Sequence, residues 1–348
     1  MFYRVLGLMS GTSLDGLDVA YCEFNEKKGE WTYEIKKAQT FLYDDEFKRK
    51  IRSMETASAQ EISQFSVELG YYFGKKAKEF LDANSLDVDF VSSHGQTIFH
   101  RPDLHYTTQI GDLSALCSQV QKTTIGDFRS MDVALGGQGA PLVPIGDKIL
   151  FSNYENCLNL GGFSNISMEK QGKLIAYDIC PVNIVLNHLA EKLSLPYDDK
   201  GQIAANGKID KKLLKTLNSL PYYKKKKNKS LGKEWVVENI FPLLENSELI
   251  IENQIATYTE HIICQLTNNI TGKTLITGGG VYNEYLIERL KTKVDYTIEV
   301  PDKITIDYKE AMIFAFLGVL RHRKEINCLA SVTGAEKDNC GGQIVQWI

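Results

Sequence analysis

Proline is scarce in this chain, at 8 of 348 residues, and glycine stands at 27. That composition excludes collagen-like and broadly disordered chains. Long apolar runs are also missing. The longest uncharged one, Ala311 to Leu320, is closed by Arg321 and is about half of the ~20 residues a membrane-spanning helix needs. The opening MFYRVLGLMSGTSLDG is apolar only from Val5 to Met9, too short for the apolar core of a secretory signal. Positive charge is not in excess: 40 Lys and Arg against 44 Asp and Glu give a net charge of −4. A protein whose main task is neutralising nucleic-acid phosphates would carry the opposite sign. The seven cysteines contain no CxxC pair, which argues against a zinc ribbon or a thioredoxin motif. The expectation is a cytoplasmic protein with scattered reduced thiols that engages neither membrane nor nucleic acid.

What is present is an ordinary globular composition, 43% apolar and 24% charged, in a length that suggests two domains. Strands alternate with helices along the chain, so the fold class is α/β with partly parallel sheets. Arg4–Met9 and Leu17–Phe24 read as a hairpin with a polar tip. Ser58 and Glu61 make a capping-box pair ahead of a helix to Asn84, with Ile62, Phe65, Leu69, Phe73, Ala77, Phe80 and Leu81 on one face. The stretch DVALGGQGAPLVP, 132–144, reads as a crossing between domains. We therefore expect one domain from 1–130 plus about 324–348 and a second over 131–323. LGLMSGTS near the start and LNLGGFSN about 150 residues later are both apolar strands running into polar turns, a weak internal duplication.

Three glycine turns lie at strand ends, where α/β proteins bind ligands. The first, GLMSGTSLDG, offers Ser10, Gly11, Thr12 and Ser13 to an anion, with Asp15 close behind. A carboxylate so near a phosphate implies a bridging hydrated Mg²⁺; the bland alternative is a hairpin turn. The second is NLGGFSN, 159–165. The third, ITGGGVYN, 276–283, sets a helix N-terminus beside glycines. Familiar nucleotide motifs do not fit. The GKT at 272–274 has Thr267 where a P-loop needs glycine, and Asn283 breaks GxGxxG.

Among acids and bases, Asp178 in AYDICPVN sits at a strand end before a helix. There it suits a general base or a helix N-terminal carboxylate. SHGQTIFH offers His94, Gln96 and Thr97 to a hydroxyl-rich ligand. The histidines 94, 100 and 105 lack the spacing of a metal site. Arg129 can hold a carboxylate in bidentate fashion, either a ligand's or that of Asp127 or Asp132. Glu310 opens a helix and is either a dipole complement or a ligand contact; Met312, Phe314 and Phe316 read as core. The run PYYKKKKNKSLGK, 221–233, reads as a solvated loop or a flap near a polyphosphate.

Taken in order, GLMSGTSLDGLDVA, SSHGQTIFH, DFRSMDVALGGQGAPLVP, LNLGGFSNI, ITGGGVYN and KEAMIFAFLG resemble the anhydro-N-acetylmuramic acid kinases over about residues 5–335. The resemblance implies a two-domain actin-like, sugar kinase ATPase fold with duplicated ribonuclease H-like domains and a cleft between domains. It implies an ATP- and Mg²⁺-dependent kinase, a homodimer, that opens the 1,6-anhydro ring and phosphorylates O6 in peptidoglycan recycling. Asp178 would then be the general base. Gly11, Thr12, Ser13 and Leu14 with Asp15, Gly16, Leu17 and Asp18 would cradle the ATP phosphates, Asp15 reaching the metal through water. Gly161, Gly162 and Asn165 would form the second phosphate loop. Gly278, Gly279, Gly280 and Asn283 would border the nucleoside. Thr97, Arg129 and Glu310 would hold the sugar.

Two stretches depart from the family pattern. DICPVN stands for DTGPGN, with Cys180 and Val182 in place of glycines. KNKSLG, 227–232, stands for PPKSTG. Rival readings are a kinase for another anhydro or amino sugar, and an actin- or Hsp70-like ATP-binding switch, which would have no use for a sugar-facing Asp178.

Overall fold

The polar-tipped hairpin at the start is β1 (Phe2–Ser10) and β2 (Gly16–Lys27), antiparallel, and β3 (Glu30–Leu42) continues the meander. The computed structural model describes residues 1–225 and 230–348. Helix Ala59–Asn84 follows with Ser58 as its N-cap and the capping box to Glu61 closed. Its buried face is Phe65, Leu69, Phe73, Ala77, Phe80 and Leu81, with Ile62 partly buried beside them. Each large side chain fully buried there is worth about 1.5–3 kcal/mol. β4 (Phe90–Ser93) then pairs parallel to β1. A separate hairpin, β5 (Gln96–Arg101) and β6 (Tyr106–Ile110), precedes β7 (Thr124–Gly126), which pairs parallel to β4.

A second sheet repeats this wiring. β8 (Asn156–Leu160), β9 (Phe163–Lys170) and β10 (Lys173–Pro181) form an antiparallel meander. β11 (Thr274–Thr277) lies parallel to β8 and β12 (Ile298–Glu299) parallel to β11. The spatial order β10-β9-β8-β11-β12 matches β3-β2-β1-β4-β7 strand for strand. In each sheet the first strand of a meander takes parallel partners on its far side, as expected of duplicated ribonuclease H-like domains. The paired sequence stretches LGLMSGTS and LNLGGFSN lie on the equivalent strands β1 and β8. Helix Lys303–His322 returns the chain to the first sheet, and β13 (Gln343–Val345) closes its edge antiparallel to β7.

The chain divides into two compact units, Met1–Phe151 with Tyr308–Ile348, and Ser152–Asp307. The glycine-rich crossing at 132–144 therefore lies inside the first unit. The edges fall later and earlier than 130 and 324 because helix Val143–Leu150 and helix Lys303–His322 from Tyr308 onward belong to that unit. Gly146 of helix Val143–Leu150 packs against Ile313, and Asp147 pairs with Lys309 at 2.7 Å, both side chains buried. Met312, Phe314 and Phe316 are core, each at most 1% exposed. All seven cysteines are thiols. Among the described residues no helix is long and apolar enough to cross a membrane.

Candidate functional site

The expected site residues divide between the two units. In the first, the β1–β2 turn is built from inside. Leu14, buried at a φ of +59°, donates its N–H to Gly11 O at 3.2 Å, and the Asp15 carbonyl accepts from Tyr43 N–H at 3.2 Å. Beneath the turn, Ser10 Oγ lies 2.7 Å from the Tyr43 hydroxyl and donates to Gln96 Oε1 at 2.6 Å. The side chains of Thr12, Ser13 and Asp15 are left exposed, while Gly16 and Leu17 are buried at the start of β2. Asp18 Oδ1 accepts the Thr40 hydroxyl at 2.5 Å. The outcome is a turn pinned through Leu14 and Asp15 with hydroxyls on its outer rim. The exposed Asp15 carboxylate is a hard oxygen donor of the kind a magnesium ion takes while keeping most of its waters.

Arg129 does not pair with its neighbouring aspartates. Its Nε and Nη2 lie 3.2 and 2.9 Å from His94 Nε2, and Nη1 donates to Gly139 O at 2.7 Å. His94 Nδ1 is bracketed by two carbonyls, Gly95 O at 2.9 Å and Ser10 O at 3.2 Å. The ring proton therefore sits on Nδ1, and Nε2 accepts from the guanidinium. Burial, with the Arg129 charge beside it, pushes the His94 pKa down to about 3. Burial lowers Arg129 to about 10 against the pull of Glu310, so the guanidinium stays charged at neutral pH. Asp127 instead accepts from Ser130 and from Gln343 at 2.7 Å. Asp132, fully buried, accepts from Gly139 N–H, Cys328, Thr333 and Asn339 at 2.8–3.1 Å. Gly139 thus takes a hydrogen bond from Arg129 on one side and gives one to Asp132 on the other.

Glu310 keeps solvent exposure on the returning helix. The Arg129 and Lys309 charges act on its carboxylate in the lowering direction and Asp18 in the raising one. Arg129, Glu310 and Asp18 thus belong to one electrostatic neighbourhood of this unit. Thr97 lies on the separate hairpin, where its hydroxyl accepts from Gln109 Nε2 at 3.2 Å.

In the second unit, four polar side chains line up across the sheet. Thr277 of β11 pairs with Asn159 of β8, Asn159 with Asn165 of β9, and Asn165 with Asp178 of β10. Directly paired residues project to the same face, and the adjacent Leu158, Leu160 and Ile166 fill the core on the other. Directly after Asp178 the β10 register slips at a bulge before Cys180; bulges of this kind re-aim side chains. Burial raises the Asp178 carboxyl above its ordinary value, opposed by the hydrogen bond from Leu231 N–H and by the neighbouring Ser230 side chain.

Two glycine turns flank this row. The Gly161 and Gly162 carbonyls accept the N–H groups of Val182, Asn183 and Ile184, so the turn caps the helix that follows Asp178. Gly278 has a φ of +86°, and a Cβ there would lie 2.5 Å from Asn159 Oδ1. That position therefore requires glycine. Gly279 and Gly280 open a short turn ending at Asn283, whose side chain accepts Leu286 N–H at 3.0 Å and caps helix Glu284–Lys291. Asn283 is thereby 9% exposed and spends its side-chain oxygen on the helix.

Sequence reasoning missed Asn159, although a polar residue interrupting the apolar strand CLNL was its signal. It also missed Tyr43, and it read His94 as a ligand contact rather than the acceptor that holds Arg129. Of the lysine run, Lys226, Lys227 and Lys229 lie outside the described residues; Pro221–Lys224 forms a short 3₁₀ turn. Among the described residues no group of three or more His, Cys, Asp or Glu could hold a metal by itself.

Comparison with known proteins accords with these motifs. The family model described as anhydro-N-acetylmuramic acid kinase matches residues 3–346. The anhydro-N-acetylmuramic acid kinase of Sulfurimonas denitrificans is 30% identical, covering 98% of this chain and 99% of the relative. That of Bacillus thuringiensis is 32% identical with 98% of each chain covered, and that of Francisella tularensis 31% with 97% of each. The chain belongs to the anhydro-N-acetylmuramic acid kinase family.

Proposed function

We propose that the protein is an ATP-dependent kinase that hydrolytically opens the 1,6-anhydro ring of anhydro-N-acetylmuramic acid and phosphorylates O6. The product is N-acetylmuramic acid 6-phosphate, an intermediate of peptidoglycan recycling, and the resemblance implies a homodimer. Family membership over residues 3–346 gives the reaction class. The observation that carries the mechanism is Asp178, a carboxylate at the end of the polar row Asn159–Asn165–Asp178, with its pKa raised by burial.

In this reading Asp178 takes a proton from water as the water oxygen bonds to C1. The C1–O6 bond breaks, O6 attacks the γ-phosphorus, and ADP leaves. Ring opening makes the nucleophile at the moment a phosphoryl acceptor is needed. A base with a raised pKa is better matched to neutral pH than an ordinary carboxylate. Gly11 to Asp18 on one turn and Gly161, Gly162 and Asn165 on another would supply amide and hydroxyl donors to the phosphates. Phosphoryl transfer depends mainly on such positioning. Mg²⁺, when bound, offsets phosphate charge, and Asp15 would hold it through water. Gly278, Gly279 and Gly280 would border the nucleoside, with Asn283 fixing the turn. Arg129, aimed by His94 and Gly139, would take the lactyl carboxylate, and Thr97 and Glu310 would take sugar hydroxyls. The test is a reaction run in ¹⁸O-water with mass spectrometry of the product. The reading expects the label at the anomeric hydroxyl of the 6-phosphate; label in the phosphate, or none, contradicts it.

A further inference from the structure

The Asp178 carboxylate is gripped from beyond its own strand. Leu231 donates its backbone N–H to Oδ2 at 2.8 Å, and the neighbouring Ser230 side chain favours the charged form of the same carboxylate. The Tyr222 hydroxyl donates to the Asp178 carbonyl at 2.7 Å, fixing the backbone beneath.

The turn that carries Tyr222 is itself held. The adjacent Tyr223 hydroxyl lies 2.9 Å from His261 Nε2, and His261 Nδ1 lies 2.7 Å from Asn218 Oδ1. His261 is fully buried. Trp235 packs on both tyrosines, with ring centroids 5.2 and 6.2 Å away.

A carboxylate that must remove a proton from one water needs its remaining lone pairs to keep one heading. A terminal carboxylate torsion is broad and weakly restrained on its own. An amide on Oδ2 removes that freedom. The contact also accounts for a departure from the family pattern. Leu231 stands where KSTG has threonine, yet the hydrogen bond comes from the main chain and does not depend on the side chain. Ser230, whose side chain favours the charged carboxylate, is retained.

We propose that Ser230 and Leu231 are positioning residues that clamp the Asp178 carboxylate in the orientation needed for proton abstraction, with Tyr222 holding the backbone below it. The proposal rests on the reading of Asp178 as general base.

Tyr222, from the 3₁₀ turn, feels the Asp178 charge, which raises its own pKa, and neutral Asn165 of β9 stands opposite Asp178. Lys225 lies over the Tyr222 ring at 5.7 Å. Lys226, Lys227 and Lys229 are outside the described residues.

The test uses the full chain with Ser230→Ala, Leu231→Pro and the rescue variant Ser230→Thr. Asp178 is titrated by ¹³C NMR without ligand, and the kcat pH profile is recorded by ADP release with Mg-ATP and 1,6-anhydro-N-acetylmuramic acid. A hydrogen bond to the charged form lowers a carboxyl pKa. Losing one should therefore raise the Asp178 midpoint in Ser230→Ala and Leu231→Pro and carry the acid limb of kcat upward with it. Plateau kcat should fall on the order of tenfold, KM for ATP should change by less than about twofold, and Ser230→Thr should restore the wild-type profile. If Leu231→Pro fails to fold, the serine pair decides. A wild-type midpoint in every folded variant overturns the clamp. A shifted midpoint with an unmoved kcat limb overturns the general-base reading instead and leaves the clamp's geometry standing.

Discussion

Asp178 and Asn165 sit directly opposite one another on β10 and β9, immediately before the bulge that shifts the register at Cys180. A carboxylate and an amide are thereby presented side by side on one face of the sheet, while core leucines fill the other. If the carboxylate is the base, Asp178→Asn should fold, bind ATP, and lose about 10²–10⁴-fold in turnover, the usual size of general-base loss. Because burial raises its pKa above the ordinary 3.8, the acid limb of kcat should lie above that value, with activity rising as the group deprotonates. Wild-type turnover in the variant would remove Asp178 from the mechanism.

Arg129 reaches its place through His94 Nε2 and Gly139 O. Arg129→Ala should raise KM for the sugar far more than KM for ATP. His94→Leu, which removes the acceptor but leaves the cation, should do the same more weakly. Steady-state kinetics with each substrate varied in turn separates the two constants. Equal weakening of sugar and ATP would end the assignment of Arg129 as a sugar clamp.

Acid should destabilise the fold through its buried histidines. His94 and His261 are both held near a pKa of about 3 by burial, with Arg129 adding to the shift of His94, below the ordinary 6.5. Between those values the unfolded chain binds more protons than the native one. Stability is therefore full above pH 6.5 and falls as pH drops toward 3, by up to about 1.4 kcal/mol per pH unit per histidine. Urea midpoints at pH 7.5, 6 and 5 should decline, and His261→Gln should decline less steeply than the wild type. Parallel slopes would contradict the assignment.

Gly278→Ala places a Cβ 2.5 Å from Asn159 Oδ1 and 2.8 Å from Leu160 O, at a φ of +86°. That backbone, with ψ at 160°, is essentially confined to glycine and costs about 1–3 kcal/mol for a residue with a Cβ, and Asn159 must shift as well. The expected result is a Tm lower by a few degrees together with a higher KM for ATP. An unchanged KM for ATP would detach this turn from the nucleotide.

What was legible in the sequence was local. Ser58 and Glu61 announce the long helix because a capping box needs only four consecutive residues. The strand–turn pairs at residues 10 and 160 stand out because β hairpins and glycine turns are short-range signals. What was hidden depends on distance or on the main chain. Arg129 meets His94 across 35 positions, and no local pattern distinguishes that partner from Asp127 or Asp132. Asn159 becomes meaningful only when strand register sets it beside Asn165 and against Gly278. The grip of Leu231 on Asp178 comes from a backbone amide, which every residue except proline carries. The domain edges were displaced because Gly146 meets Ile313 and Asp147 meets Lys309 only after folding.

The most direct measurement is ADP release by the purified protein with Mg-ATP and 1,6-anhydro-N-acetylmuramic acid, run beside ordinary N-acetylmuramic acid. The account predicts turnover with the anhydro sugar alone, since Asp178 is placed to activate water at C1 rather than to deprotonate a free 6-hydroxyl. Equal turnover with both sugars, or turnover with neither, would contradict it.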